Sequence, residues 1–343
     1  MRTTHVGVEQ LRPYGLNSRR HPAVAQPLQT PRIRRLVLVI GLTLVVAPLV
    51  LTACGDDNSS ANDGDKIQVV TTLPLFADFV RSVGGDRVDV TSLLPLGADP
   101  HTFEPSPRDV EPITKADVAF ANGLDLEPGL IKVLEANLPD DTELVKLAET
   151  QPSRLTNVDE LAPKAVAEDP HRWLDTTQSD RYTEIITEHL ADLDSASAPS
   201  YQSNSDQYRV AIADVHEYLL GRMASISPEN RKLVTTHEAF DWFAGSIGFT
   251  AVAAVAESPG QEPSPNEIAD LTAAIKDQHI PAVFSEPQIS EESHILEQAA
   301  ADAGVQVCTL YSDSLDDEVS TYIEMMRFNA DELARCLGGD TDD

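Results

Sequence analysis

Histidine 101 lies in Pro95-Leu-Gly-Ala-Asp-Pro-His-Thr-Phe-Glu-Pro-Ser-Pro-Arg108, where Gly97 and four prolines forbid regular structure. Backbone this stiff is a poor way to fill a core and a good way to aim an imidazole. The pattern recurs: Asp169-Pro-His171-Arg-Trp and Thr236-His237-Glu-Ala-Phe present two further histidines, each after a strand-like or proline-punctuated stretch. Three such imidazoles make metal ligation the chemistry to consider first, and with one carboxylate they would form a closed shell suited to Zn²⁺, with Zn–N bonds of ~2.0–2.1 Å. No local chelating pattern such as HExxH is present, so the fold must bring the ligands together.

The elements that would do so alternate between strand and helix. Residues 67–72 and 88–94 read as strands flanking a helix with Leu75, Phe76, Phe79, Val80 and Val83 at helical spacing; the second strand delivers the chain to the His101 loop. Further strands are expected at 118–121 and 143–147, around a helix over 127–136. A polar loop, 151–168, precedes a helical stretch without strand signals. Its apolar positions are Ile185, Ile186 and Leu190, then Tyr201, Tyr208, Ile212, Val215, Leu219 and Met223. The second half repeats the grammar of the first. Strand 232–236 ends on His237, and 249–255 is the next strand. Strand 282–284 runs into Ser285-Glu286-Pro-Gln, and 305–310 ends at Tyr311-Ser-Asp313-Ser; helices fall at 268–278, 291–303 and 316–337. Alternation of this kind implies an α/β fold: two αβ domains with small, mostly parallel sheets. Candidate site residues then sit where strands or ordered loops end, facing an interdomain cleft. The expected division is an N-terminal domain over 67–176, a helical linker over 177–227 and a C-terminal domain over 228–343.

The chain has 343 residues, 41% apolar and 24% charged, ordinary values for a globular protein. Its charge is not ordinary. Seven of the 25 basic residues and one of the 56 acidic ones precede residue 54, so the remainder carries 18 basic against 55 acidic residues, a net charge of −37. Such a polyanion repels phosphates and argues against nucleic acid binding. Arg32, Arg34 and Arg35 precede an apolar run over 36–51 that ends Leu51-Thr-Ala-Cys54-Gly, the layout of a secretory signal. That ending resembles a bacterial lipobox, in which Cys54 would become the lipidated first residue of the mature protein. Residues 1–31 read as an extension of the signal, and 54–66, polar and acidic, as a flexible tether. Cys308 and Cys336 remain, on the exported side of the membrane where thiols oxidise; a disulfide between them and two buried free thiols are both open.

The segments Asp99-Pro-His-Thr-Phe-Glu-Pro-Ser-Pro107, Asp169-Pro-His-Arg-Trp-Leu-Asp175, Thr235-Thr-His-Glu-Ala-Phe240, Ser285-Glu-Pro-Gln288 and Tyr311-Ser-Asp-Ser314 resemble, in order, the metal-binding segments of the zinc/manganese solute-binding lipoproteins of ABC transporters. The resemblance runs from about residue 69 to 337. It implies two αβ domains joined by a long, rigid backbone helix, with a metal ion in the cleft. Carried over by position, His101, His171 and His237 are the first three ligands and Asp313 the fourth. Glu286 is the alternative fourth ligand, or else a carboxylate that orients a ligating imidazole. Members tuned to manganese commonly carry glutamate at the third place, so His237 points to zinc, with manganese the alternative. The histidine run that many zinc members carry between the first two ligands is absent from 151–168. Glu104 and Glu238 are read as solvated or loop-bracing acids, and Trp173, Phe240 and Trp242 as packing around the site.

The function this implies is capture of Zn²⁺ by a monomeric protein lipid-anchored to the outer face of the bacterial membrane, and delivery to an ABC-type permease. It is not an enzyme. Two rivals follow from the same residues: a secreted zinc hydrolase with Glu238 or Glu286 as base, and a surface adhesin with a structural metal.

Overall fold

Residues 66–150 and 168–339 are described by a computed structural model. The expected signal, the expected lipidation site Cys54 and most of the 151–168 loop lie outside them. The first sheet contains β1 (Ile67–Thr71), β2 (Val88–Ser92), β3 (Val118–Ala121) and β4 (Glu143–Lys146) in the order β2-β1-β3-β4, with every pairing parallel. Its helices are α1 (Pro74–Gly84), the short α2 (Val110–Ile113) and α3 (Pro128–Asn137). Parallel strands buried on both faces read as continuous apolar runs, and all four residues of β3 are buried. Leu75, Phe76, Phe79, Val80 and Val83 of α1 are fully buried, as their spacing requires.

The second sheet repeats the arrangement with β5 (Lys232–His237), β6 (Thr250–Ala256), β7 (Ala282–Ser285) and β8 (Gln306–Thr309) in the order β6-β5-β7-β8, again all parallel. Between the sheets run α4 (Thr176–Leu193) and α5 (Ala198–Ala224). The helical stretch expected over 177–227 is thus two helices, broken at 194–197. Pro199 sits in the first turn of α5, where a missing N–H costs nothing, and marks the restart. At 27 residues α5 is about 40 Å long, and it packs on α1, on α4 and on the terminal helix α9 (Tyr322–Leu337). The remaining helices are α6 (Asp241–Ile247), α7 (Pro265–Asp277) and α8 (Ser290–Ala303). Gly248, at φ +73°, takes the left-handed conformation that turns the chain from α6 toward β6.

The terminal helix starts six residues later than the expected 316. Asp316 accepts the N–H groups of Glu318 and Val319 in a side-chain turn, and Thr321 then caps α9 in a reciprocal box with Glu324. Cys308 of β8 and Cys336 of α9 form a disulfide, with Cα atoms 6.7 Å apart.

One apolar core runs through both halves, from Val69 and Phe76 through Trp173 and Tyr182 to Phe240, Tyr311 and Leu333; a smaller cluster around Val283 and Leu296 lies under α7 and α8. Among the described residues no helix is long and apolar enough to cross a membrane.

Candidate metal centre

The chain leaves β2 through Leu93 and Leu94, both buried, and enters the proline-rich loop. There Asp99 Oδ1 accepts the backbone N–H of His101 at 3.2 Å, while Asp99 Oδ2 accepts the hydroxyl and N–H of Thr102 at 2.5 and 3.2 Å. The second Asp-Pro-His repeats the device. Asp169 Oδ1 accepts the N–H of His171 at 2.9 Å and also faces its ring Nδ1 at 2.7 Å. Aspartate two residues upstream is a local turn former, so each histidine is aimed by its own sequence. The second triplet is further fixed by Asn122, whose amide donates to the carbonyl of Pro170 at 3.0 Å. His237 is the last residue of β5, and Asp313 follows β8 by four residues.

These four residues, 70, 66 and 76 positions apart, meet at one point: they offer ligand atoms that all lie within 4.8 Å of one another. The three imidazoles present Nε2 inward, with 3.2 Å from His101 to His171 and 3.3 Å from His171 to His237. Asp313 faces them with both oxygens: Oδ1 is 3.5 Å from His171 Nε2, and Oδ2 is 3.3 Å from His237 Nε2 and 3.7 Å from His101 Nε2. Asp313, His171 and His237 are 2% exposed or less; the His101 side chain, at 10%, is the most exposed of the ligand candidates. Among the described residues, the only polar atoms facing the two oxygens of Asp313 at these distances are the imidazole nitrogens, at 3.3 to 3.7 Å and outside good hydrogen-bond geometry, an arrangement that a cation at the centre would satisfy.

Glu286, just past β7, is buried and stands behind His237. Its Oε1 lies 3.0 Å from His237 Nδ1 and accepts the hydroxyl of Thr236; its Oε2 accepts the hydroxyl of Ser312. Gln288 closes the network, donating to Ser312 Oγ at 2.8 Å. With Nδ1 of His171 and of His237 facing carboxylates, Nε2 is the nitrogen each ring turns to the centre, the one a metal would take. The geometry therefore places Glu286 behind an imidazole and Asp313 among the converging atoms.

Electrostatics at the centre are set by burial and by these carboxylates. Burial drives the pKa of His101 down to about 3, against the pull of Asp313, so this ring stays neutral at any ordinary pH. Burial also disfavours the cation at His237, but the Glu286 and Asp313 carboxylates overcome it and hold its pKa well above the usual histidine range. For Asp313 burial disfavours ionisation, and the three imidazoles reverse that, keeping its pKa below the usual carboxylate range.

Glu104 and Glu238, neighbours of ligands in sequence, are exposed. Trp173 is fully buried and donates Nε1–H to the carbonyl of Ser312 at 3.0 Å, tying the residue after His171–Arg172 to the residue before Asp313. Trp242 donates Nε1–H to the carbonyl of Asp169 at 3.3 Å and carries Arg172 over its ring at 5.4 Å. Asp99 and Asp169 escaped the reading of the sequence although both stand within the quoted motifs; their position two residues before a histidine was the available signal. Thr236, Gln288 and Ser312 also flank site residues, but no spacing announces that three separate strand ends share one carboxylate.

Comparison with known proteins gives one consistent result. The family described as ZnuA, zinc-uptake complex component A, periplasmic, matches residues 69–336. The manganese-binding lipoprotein MntA of Halalkalibacterium halodurans is 29% identical over 300 residues, covering 86% of this chain and 96% of that protein. The iron-binding protein YfeA of Yersinia pestis is 30% identical over 316 residues, covering 91% and 98%. Among solved structures, the periplasmic zinc-binding protein TroA from Treponema pallidum superposes with a TM-score of 0.71 at 27% identity, over 79% of this chain and 99% of that one. Two parallel α/β sheets, the converging site and the match across nearly the whole described chain place this protein in the ZnuA family: metal-binding, substrate-binding components of ABC transporters, which work with a permease and are not enzymes.

Proposed function

We propose that the protein captures Zn²⁺ outside the cell and hands it to its ABC permease, using His101, His171, His237 and Asp313 as ligands and Glu286 as the carboxylate that orients His237. The observation that carries this reading is the size and chemistry of the ligand cage. A tetrahedron with metal–ligand bonds of ~2.0–2.1 Å has edges of about 3.3–3.4 Å; the His101–His171 and His171–His237 Nε2 separations are 3.2 and 3.3 Å, and each Nε2 lies 3.3 to 3.7 Å from an Asp313 oxygen. Three imidazoles to one carboxylate is a donor set for zinc in preference to manganese, whose sites favour oxygen. Manganese is the second reading, and one feature favours it: both oxygens of Asp313 face the centre, which would allow the higher coordination number that ion takes.

Delivery would proceed from a protein exported by the signal in residues 1–53, acylated at Cys54 and held as a monomer at the outer face of the bacterial membrane by the 54–66 tether. The body would comprise the domains over 67–176 and 228–343 with the helical linker over 177–227. Competitive titration of the metal-free protein with Zn²⁺ and Mn²⁺, beside His237→Glu, tests the metal. Zinc should bind the unmodified protein more tightly, and the substitution should narrow or reverse that order. Tighter manganese binding by the unmodified protein would overturn the zinc assignment and leave the transport role standing.

A further inference from the structure

His101 is the most exposed of the four ligand candidates, its side chain at 10% against 2% or less for the others, so the His101 loop is where an ion would enter or leave. Across the mouth from that loop, the connection between β6 and α7 brings Gly260 against Thr102. A Cβ built on Gly260 would lie 3.2 Å from Thr102 Cγ2, and its φ of +80° is in the left-handed region. The backbone of Gly260 is held from behind: its N–H is donated to Oε1 of Glu292 at 2.6 Å. Glu292 stands in the first turn of α8 and is only 5% exposed, a buried carboxylate that none of the site chemistry above uses. Asp99, Thr102, Gly260 and Glu292 line one cavity of about 260 Å³ together with Gln288, whose amide reaches Ser312 beside Asp313.

We infer that Glu292 is a positioning residue for metal retention: its carboxylate latches the 258–263 loop through Gly260, and that loop packs on Thr102 to hold the His101 loop closed over the ion. The inference rests on the metal-centre reading above. The path is short. Glu292 fixes Gly260, Gly260 abuts Thr102, and Asp99 binds the backbone N–H groups of both Thr102 and His101. A latch of this kind acts on the rate of escape, because it orders a loop that no metal–ligand bond touches directly.

The test is stopped-flow release of zinc from the loaded protein into excess chelator. Glu292→Ala removes the acceptor and should raise the release rate about tenfold, the effect of one lost hydrogen bond to a charged group, with a much smaller change in the binding rate. Glu292→Gln keeps an oxygen that can accept the Gly260 N–H, and should restore release to near the unmodified rate. Thr102→Ser removes only the methyl group that meets Gly260 and keeps the hydroxyl on Asp99; it should also speed release. The double variant should be no faster than the quicker single one, since both substitutions break the same contact. Release at the unmodified rate in both Glu292→Ala and Thr102→Ser, or additive effects in the double variant, would overturn the latch and leave the metal centre intact. Failure of the unmodified protein to hold zinc would sink both.

Discussion

A proton and a divalent cation compete for the space between Asp313 and the imidazoles. Without metal, two buried carboxylates flank His237, one on each ring nitrogen, and their combined pull keeps a proton on the ring despite burial. Metal can take His237 Nε2 only after that proton leaves, whereas His101 is already neutral. Zinc binding at neutral pH should therefore release about one proton per ion, and affinity should rise with pH until the raised pKa of His237 is passed. Calorimetric titrations in buffers of different ionisation enthalpy measure this directly. Glu286→Ala, which removes the carboxylate facing His237 Nδ1, should weaken zinc binding by about 10- to 100-fold, read by chelator competition. A second buried acid, Glu127, is not among the converging atoms: Oε1 accepts the hydroxyl of Thr72 and the N–H of Asn122, and burial pushes its pKa to about 7. Because its folded pKa exceeds the unfolded value, the folded protein keeps a proton that the unfolded chain has lost between pH 4.5 and 7. Stability should fall by roughly 3 kcal/mol as pH rises through that window, and Glu127→Gln should flatten the fall in urea midpoints. At this scale the histidines and Asp313 could be read from the motifs. The supports could not, because Thr236, Gln288 and Ser312 become neighbours only when three strand ends align.

Three residues of the candidate centre follow a common rule: His237, Glu286 and Asp313 all stand at or just past the carboxyl ends of parallel strands β5, β7 and β8. What fixes the exit of β8 comes from α9. The buried amide of Asn329 donates to the carbonyl of Tyr311 and accepts its N–H, both at 2.8 Å, imitating a neighbouring strand two residues before Asp313. The Cys308–Cys336 disulfide ties the same two elements and encloses a loop of 28 positions. Replacing both cysteines by serine should lower stability by roughly 3.5 kcal/mol on the chain-entropy estimate, measured by denaturant unfolding with and without reductant. Strand and helix positions were legible because apolar residues recur at the right periods, as in α1. The break between α4 and α5 was missed because the apolar pattern resumes at Tyr201 with little interruption; Pro199, two residues past the break, was the available signal. The late start of α9 was hidden similarly: Asp316 and Thr321 take up backbone groups in turns that hydrophobic spacing does not register.

At the scale of the molecule, the two halves are bonded to each other through buried and half-buried groups. Asp78 of α1 accepts the hydroxyl of Tyr208 from α5 and the N–H of Tyr322 from α9, both at 3.0 Å. Tyr322 in turn donates its hydroxyl to the carbonyl of Trp173 at 3.1 Å, and its ring meets Phe79 edge-on at 5.1 Å. A wide hinge opening would have to break these contacts and expose core, so loop ordering at the mouth is the expected response to metal. Small-angle scattering should give the same radius of gyration for the metal-free and zinc-loaded protein; a marked contraction on loading would mean that the shared core is not the constraint it is taken to be. Two-domain α/β architecture could be read from the sequence, but the continuity of the core could not, because it depends on aromatic residues from α1, α5 and α9 meeting in space. All of this serves a single point of convergence. The most direct measurement is an anomalous difference map at the zinc edge from crystals of the loaded protein. One peak should lie within bonding distance of Nε2 of His101, His171 and His237 and of the Asp313 carboxylate; a fully loaded protein whose zinc peak lies elsewhere would contradict the account.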